Sequence, residues 1–440
     1  MTTQRAQRIG WYFYDWANSA YSTTVVTAFL GPYLTYVARA AAGPDGYVHP
    51  LGVAIHPGSV FPFATSLAVA LQVFILPVVG ALADRSHRKR YLLGLTAGGG
   101  ALATTLLFFL TAAAGNYLFG SLLFITANLF FGSSIVIYNS FLPELAPMHE
   151  RDKVSSRGWA LGYLGGGLLL LINMLMYASA GANGSDTDLI VRTILASAGI
   201  WWALFTLVPL RLLPSAPART AEPLRISAAF RQLWDTLRHA RTYPQTFLFL
   251  MAYLTYNDAV QTVITMASQF GKEELGLGMD VLMQAILLVQ FVAIGGALLF
   301  ERVAAWTSTK RAIQISILGW IAVLIMAYAA VRGSTDFYIM AAAIAIVLGG
   351  IQALSRSLFS QIIPAGREAE YFSLYEISDK GTSWIGPMVF GWTLTLTGSY
   401  RLAVLSLIIF LVIGLALLSR VNVERARREA GALDAEAGIS

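Results

Sequence analysis

Long apolar stretches, separated mostly by short polar turns, recur along the chain from residue 11 to residue 420. A bilayer core about 30 Å thick takes about 20 helical residues to cross. Twelve segments reach that length: 11–38, 61–83, 91–113, 117–142, 159–180, 189–212, 245–269, 280–300, 311–331, 336–356, 373–397 and 400–420. The pattern predicts an all-α membrane protein with twelve transmembrane helices. Two connections are longer: 41–60, rich in glycine and proline, and 214–243, which opens on prolines and continues with arginines. The second divides the chain into a six-helix bundle over 1–213, a linker over 214–243, a second six-helix bundle over 244–420 and a tail over 421–440. Within the linker, Phe230, Leu233, Trp234 and Leu237 fall at i, i+3, i+4 and i+7, with Arg225, Arg231 and Arg238 around them. The linker is either an amphipathic helix on the membrane surface or a solvated tether.

The halves share a plan. The second segment closes on GALADRSHRKR, residues 80–90, and the eighth on GALLFERVAAWTSTKR, residues 296–311. The fourth ends Phe141-Leu142-Pro143 and the tenth Ile362-Ile363-Pro364. Gly165 follows Pro143 by 22 residues, and Gly386 follows Pro364 by 22. These matches come in the same order and point to two parallel six-helix repeats, a plan that transporters use with a site at the repeat interface.

Composition agrees. Of 440 residues, 56% are hydrophobic and 12% charged, against about 25% charged in soluble proteins; mean hydropathy is +0.63. The net charge of +6 belongs to one side of a bilayer rather than to a nucleic-acid partner. With an even number of helices and the N-terminus inside, 24 of the 30 lysines and arginines fall on the inner side and five (Arg39, Arg192, Lys272, Arg332, Arg401) on the outer. That asymmetry places both termini in the cytoplasm, with a bacterial inner membrane the expected home and a monomer the expected state. The apolar run after Trp11 outlasts the roughly 7–15 residues of a signal core, so it is read as a retained first span.

At GALADRSHRKR the chain resembles the inner-loop signature of the major facilitator superfamily, Gly-x-Leu-Ala-Asp-Arg-x-Gly-Arg-Lys/Arg. Gly80, Leu82, Ala83, Asp84, Arg85, Arg88, Lys89 and Arg90 match, and His87 stands where the second glycine is usual. YDWANSAY (14–21), LPELA (142–146), GWALGYLGGG (158–167), YNDAVQTVI (256–264) and GIQALSRSLF (350–359) resemble its vacuole-effluxer-like family, which includes the autophagy-related amino-acid effluxer of fungal vacuoles. The resemblance implies alternating access between two bundles. It also implies a gate in which Asp84 faces the 376–380 region and Arg85 reaches Glu144. Arg88, Lys89 and Arg90 serve as positive-inside anchors.

Charged groups at mid-bilayer cost about 2.5–3.5 kcal/mol on insertion scales and so mark partners or aqueous paths. Asp258 lies about 13 residues into the seventh segment, with Asn257, Gln261, Thr262 and Thr265 beside it. Burial without a cation disfavours a charged carboxyl, which makes Asp258 a candidate proton carrier or a partner for a substrate ammonium. The alternative is a neutral structural carboxyl. Asp15, Asn18, Ser19 and Ser22 share one face of the first segment. Only about four residues separate Asp15 from the start of that segment, so it is either a cavity wall or a helix-start anchor favoured by the dipole. Glu376, Asp379 and Lys380 open the eleventh segment; Glu376 and Lys380 can pair at i, i+4, as part of a gate or as an internal salt bridge. Arg356 is expected at the membrane interface. Gln72, Asn128, Asn139, Gln284, Gln290 and Gln352 are further wall candidates. The Gly98–Gly100 and Gly165–Gly167 runs suit close helix packing.

No Gly-x-x-x-x-Gly-Lys-Ser/Thr loop is present and there is no cysteine. The five histidines (His49, His56, His87, His149, His239) fall in separate loops, so neither a metal site nor a cofactor is expected, and no nucleophile–base spacing suggests an enzyme. The reading that fits best is a secondary transporter of small organic solutes, amino acids or related zwitterions, driven by their gradient or by protons. A flippase for an amphipathic lipid and a non-transporting receptor or scaffold are the alternatives.

Overall fold

The computed structural model describes residues 3–86, 88–183, 186–214, 243–380 and 385–436. Nearly the whole linker, with its amphipathic face, and His87 lie outside the described residues. Helix α1 (Thr3–Ala20) passes through a π-helical stretch, Tyr21–Phe29, into α2 (Leu30–Ala40). Next come α3 (Val60–Arg85), α4 (Lys89–Leu106), α5 (Tyr117–Asn139), the short α6 (Leu142–Leu145), α7 (Arg151–Asn183) and α8 (Thr187–Leu212). After the linker follow α9 (Pro244–Gln269), α10 (Met279–Trp306), α11 (Thr309–Ala329), α12 (Ser334–Gln361), α13 (Glu368–Lys380), α14 (Ile385–Thr397), α15 (Tyr400–Ser406), α16 (Ile408–Arg420) and α17 (Val423–Glu436).

Helix underlies each of the twelve expected segments. Among the described residues, nine helices are long and apolar enough to cross a membrane. The stretches outside that set are α1–α2, α9 and α13–α14; the first two carry Asp15 and Asp258, and residues 381–384 within the third lie outside the described residues.

The described chain forms two compact units: Met1–Leu76, His87–Tyr138 and Leu161–Pro217, and then Pro77–Ser86, Asn139–Ala160 and Ala218–Ser440. The division does not follow the linker alone, because the last residues of α3 and the stretch from the end of α5 to the start of α7 belong to the second unit.

The repeat is visible within each unit. In the first, Gly165 of α7 lies where a Cβ would come 2.6 Å from the Trp16 carbonyl of α1. In the second, Gly386 of α14 lies where a Cβ would come 2.1 Å from the Thr262 hydroxyl and 3.2 Å from the Asp258 carbonyl of α9. The paired glycines of the sequence therefore do the same work, letting the fifth segment meet the first and the eleventh meet the seventh.

Helix ends show the same correspondence. The last carbonyls of a helix have no partner within it, and a stranded one in a membrane costs several kcal/mol. Arg90, opening α4, donates to the Leu213 carbonyl at the end of α8 at 3.0 Å. Lys310, opening α11, donates to the carbonyls of Ser419 and Val421 at the end of α16, each at 2.8 Å. At the opposite ends, Arg192 of α8 donates to the Phe108 carbonyl just past α4 at 2.6 Å and meets Asp188 at 3.4 Å. Arg401 of α15 reaches the carbonyls of Ala327, Tyr328 and Val331 at the end of α11, at 3.3, 3.0 and 2.6 Å, and meets Glu274 at 2.7 Å. The third and sixth segments thus cap each other, as do the ninth and twelfth. Two of the five outer cations are structural clamps, and Arg90 is a clamp as well as an anchor.

Arg401→Ala removes a cation from three carbonyls and one carboxylate, and is expected to cost about 2–4 kcal/mol. Thermal unfolding in detergent should show a clear fall for Arg401→Ala and little change for Arg332→Ala, an exposed arginine next to the Val331 that Arg401 caps. Equal falls would remove the clamp from the account.

Candidate functional site

Helix α1 begins at Thr3, eight residues before the start expected from hydropathy. Asp15 therefore sits twelve residues along a continuous helix, and the helix-start anchor reading is corrected: there is no N-terminus there for its charge to cap. It is 7% exposed, and the Tyr138 hydroxyl at the end of α5 donates to its Oδ2 at 2.7 Å. The Trp11 ring stacks on Tyr138 at 4.5 Å, and its Nε1 donates to the Tyr138 carbonyl. One turn on, Asn18 is buried and its Nδ2 has no hydrogen-bond partner among the described residues. Ser22 donates to the Ser19 carbonyl of its own helix at 3.1 Å. The π-helical stretch begins at Tyr21, and within it Thr27 bonds back five residues to the Ser22 carbonyl at 2.9 Å. π-Helical turns are rare and gather at functional sites; periodicity gave no sign of this one.

In the second unit Asp258 is 3% exposed, and neither carboxylate oxygen has a hydrogen-bond partner among the described residues. The Gly386 amide comes near it without reaching hydrogen-bond geometry. Asn257 accepts from Gln352 of α12 at 3.1 Å. Thr262 gives its hydroxyl to the Asp258 carbonyl at 2.7 Å, and Gln261 is half-buried one turn from Asn257. A buried carboxylate with both oxygens unpaired is costly to keep charged. A proton or a substrate cation would relieve that cost, and Asp258 is the group with acceptor capacity to give.

The two acids do not occupy equivalent stations. Gly386 meets the Thr262 hydroxyl and the Asp258 carbonyl as Gly166 meets the Thr23 hydroxyl and the Ser19 carbonyl. Asn18 and Ser19 of the first unit therefore answer to Asn257 and Asp258 of the second, and Asp15 lies one turn earlier.

A second cluster gathers at the basic end of the second unit. Asp84, near the end of α3, accepts from the backbone amides of Ala369 and Glu370, both at 2.9 Å. These are in the first turn of α13, where free amides and the helix dipole favour an anion. The expected partner region, 376–380, is corrected: Asp84 holds the start of that helix, about two turns earlier. One turn before Asp84, Gly80 packs so closely that a Cβ would come 2.6 Å from the Ala369 carbonyl. Glycine and aspartate of the signature thus act together, one admitting the backbone and the other binding it. Arg367 clamps Glu370 with two bonds, at 2.9 and 2.6 Å. Burial works against its charge, but Glu370 more than offsets this and holds the guanidinium pKa above its ordinary value. Arg85 closes α3 and Glu144 lies on α6.

Arg356 is 3% exposed, enclosed by protein. Its Nε donates to the Ser155 hydroxyl and its Nη2 to the Ser155 carbonyl, both at 2.9 Å, and the guanidinium lies 5.4 Å from the Trp159 ring. Asn139 links the group onward, donating to Glu376 at 3.1 Å. Asp379 and Lys380 lie on α13, but their side chains fall outside the described residues. Sequence reasoning missed Asp152, Ser155, Thr309 and Ser357. Asp152 accepts from Thr309 and Ser357, each at 2.6 Å, and from Gln361 at 3.2 Å. Its partners stand more than 150 residues away, and hydroxyls are too common to signal such a site.

Solved structures share this fold. The proton:xylose symporter XylE, bound to 6-bromo-6-deoxy-D-glucose, aligns over 98% of both chains at a TM-score of 0.69 with 14% identity. The fold is that of the major facilitator superfamily, and the protein is an integral, multi-pass membrane transporter of that type. The model of the family described as "Vacuole effluxer Atg22 like" matches residues 3–431, and the chain belongs to that family. It is 31% identical over 424 residues to the uncharacterized MFS-type transporter YxiO of Bacillus subtilis, covering 95% of both chains. Autophagy-related protein 22 of Kluyveromyces lactis is 26% identical over 474 residues, covering 96% of this chain and 94% of that one.

Tyr138→Phe should cost about 1.5–3 kcal/mol, the worth of a hydrogen bond to a charged group, read as a lower midpoint in denaturant. An unchanged midpoint would mean that the hydroxyl does not secure Asp15.

Proposed function

We propose that the protein moves small organic zwitterions, amino acids among them, across the membrane by alternating access, with Asp258 carrying a proton or pairing with the substrate ammonium. The observation that carries this reading is the buried, unpartnered carboxylate of Asp258 on α9, a helix more polar than its neighbours. The family description, a vacuole effluxer, supports movement of a solute across the membrane, and the zwitterion class rests on Asp258 as a partner for an ammonium. Support for proton coupling comes from a fold shared with a proton symporter. Asp15, Asn18 and the π-helical stretch form the corresponding wall in the first unit. The basic end faces the cytoplasm, as the distribution of arginine and lysine indicates.

The gate in this reading is the cluster at that end. Asp84 on the α13 amides, Asn139 on Glu376, Asp152 on Thr309 and Ser357, and Arg356 on Ser155 hold the ends of α3, α5 and α7 against α11, α12 and α13. Opening toward the cytoplasm requires these bonds to part together.

Asp258→Asn keeps the size and removes the titration. In proteoliposomes given radiolabelled alanine, leucine and tyrosine on either side of neutral pH, wild type should transport with a pH response. The variant should fold, as judged by its elution and melting, and lose that response. Wild-type transport with an intact pH response would end the role of Asp258. For the gate, the absence of native cysteine makes Ser360→Cys a clean reporter, since Ser360 is buried. Adding Asp84→Asn should speed its labelling by roughly fivefold, as expected from losing a charge at a helix start; unchanged labelling would remove Asp84 from the gate.

A further inference from the structure

A cavity of about 470 Å³ lies at the basic end of the second unit, between the start of α11, the end of α16 and α17. Its wall carries three cations, Lys310, Arg420 and Arg427, and one carboxylate, Glu424. The positive charge is incompletely matched. Lys310 is held by carbonyls and meets no carboxylate among the described residues. Arg427 gives one Nη to Glu424 at 3.0 Å and the other to Gln361, while its Nε is buried with no partner among the described residues. Arg420 is exposed and lines the same space. The volume falls in the roughly 300–1,000 Å³ range of small-molecule sites. Guanidinium groups with donors to spare select planar or tetrahedral oxyanions by paired, charge-assisted bonds.

We propose that this cavity binds a phosphomonoester group, carried either by a lipid headgroup of the adjacent leaflet or by a free phosphorylated metabolite. It is separate from the transport reading and does not depend on Asp258. Its occupant reaches the gate cluster through one side chain, because Gln361, which accepts from Arg427, donates to Asp152.

The full chain in phosphatidylcholine nanodiscs provides the test. Glycerol 3-phosphate, titrated calorimetrically, probes a free phosphomonoester. Phosphatidic acid added to the discs, with thermal stabilisation as the readout, presents the same group on a lipid. Wild type should respond to at least one. A response to glycerol 3-phosphate assigns a soluble occupant, and a response to phosphatidic acid alone assigns a lipid. Arg427→Gln and Arg420→Glu should each weaken the response about tenfold. Arg428→Glu, the same charge change on an exposed side chain of α17 outside the cavity, should leave it intact. If Arg427→Gln fails to fold, the exposed Arg420 still carries the test. No response to either probe, or equal weakening by Arg420→Glu and Arg428→Glu, overturns the site.

Discussion

The last carbonyls of a helix have no partner within it, and much of this structure follows from how those carbonyls are met. Arg90, Arg192, Lys310 and Arg401 each leave the start of one helix and hold the end of another. They bind the third segment to the sixth and the ninth to the twelfth, once at each end. A cation used in this way needs its position fixed to within a turn, so these four fix the register of α4 against α8 and of α11 against α16, and α8 and α16 in turn pack on α1 and α9. The glycines at 165 and 386 add the complementary constraint, setting how closely α7 and α14 approach the acids of α1 and α9.

The basic end of the second unit applies the same chemistry in a more easily broken form. Asp84 meets two backbone amides, Asp152 two hydroxyls and an amide, and Arg356 a hydroxyl and a carbonyl. Most partners are neutral. Pairing an ion with dipoles satisfies it without the deep well that two opposite charges form in a low dielectric. That suits a contact that must be kept and given up repeatedly. Gly80 explains why the signature opens on glycine: any side chain would hold the α13 backbone beyond the reach of Asp84.

The helices were legible because apolar length alone reports a span. The polar helices were legible for existence but not for extent. Thr3 to Arg8 is too polar to count toward a hydropathy window, so the start of α1 was placed late and Asp15 appeared shallow. The partners of Arg356 were hidden for a related reason: nothing around an arginine near a helix end tells that the hydroxyl of Ser155, two hundred residues away in the chain, faces it. The signature named Asp84 correctly and its partner only to within two turns, since the motif itself says nothing of where α13 begins. The π-helical stretch had no precursor in the pattern, because one additional residue per turn leaves the apolar content unchanged.

The exchange of Ser19 for Asp258 has a wider meaning. Two copies of one framework keep the glycine, the threonine and the asparagine around this position, and a single side chain decides whether it carries a titratable group. Such a chain can assign reactivity to one copy and rigidity to the other without touching the scaffold common to both. Symmetry in the skeleton and asymmetry in the chemistry are then separable properties, and they can drift independently over time.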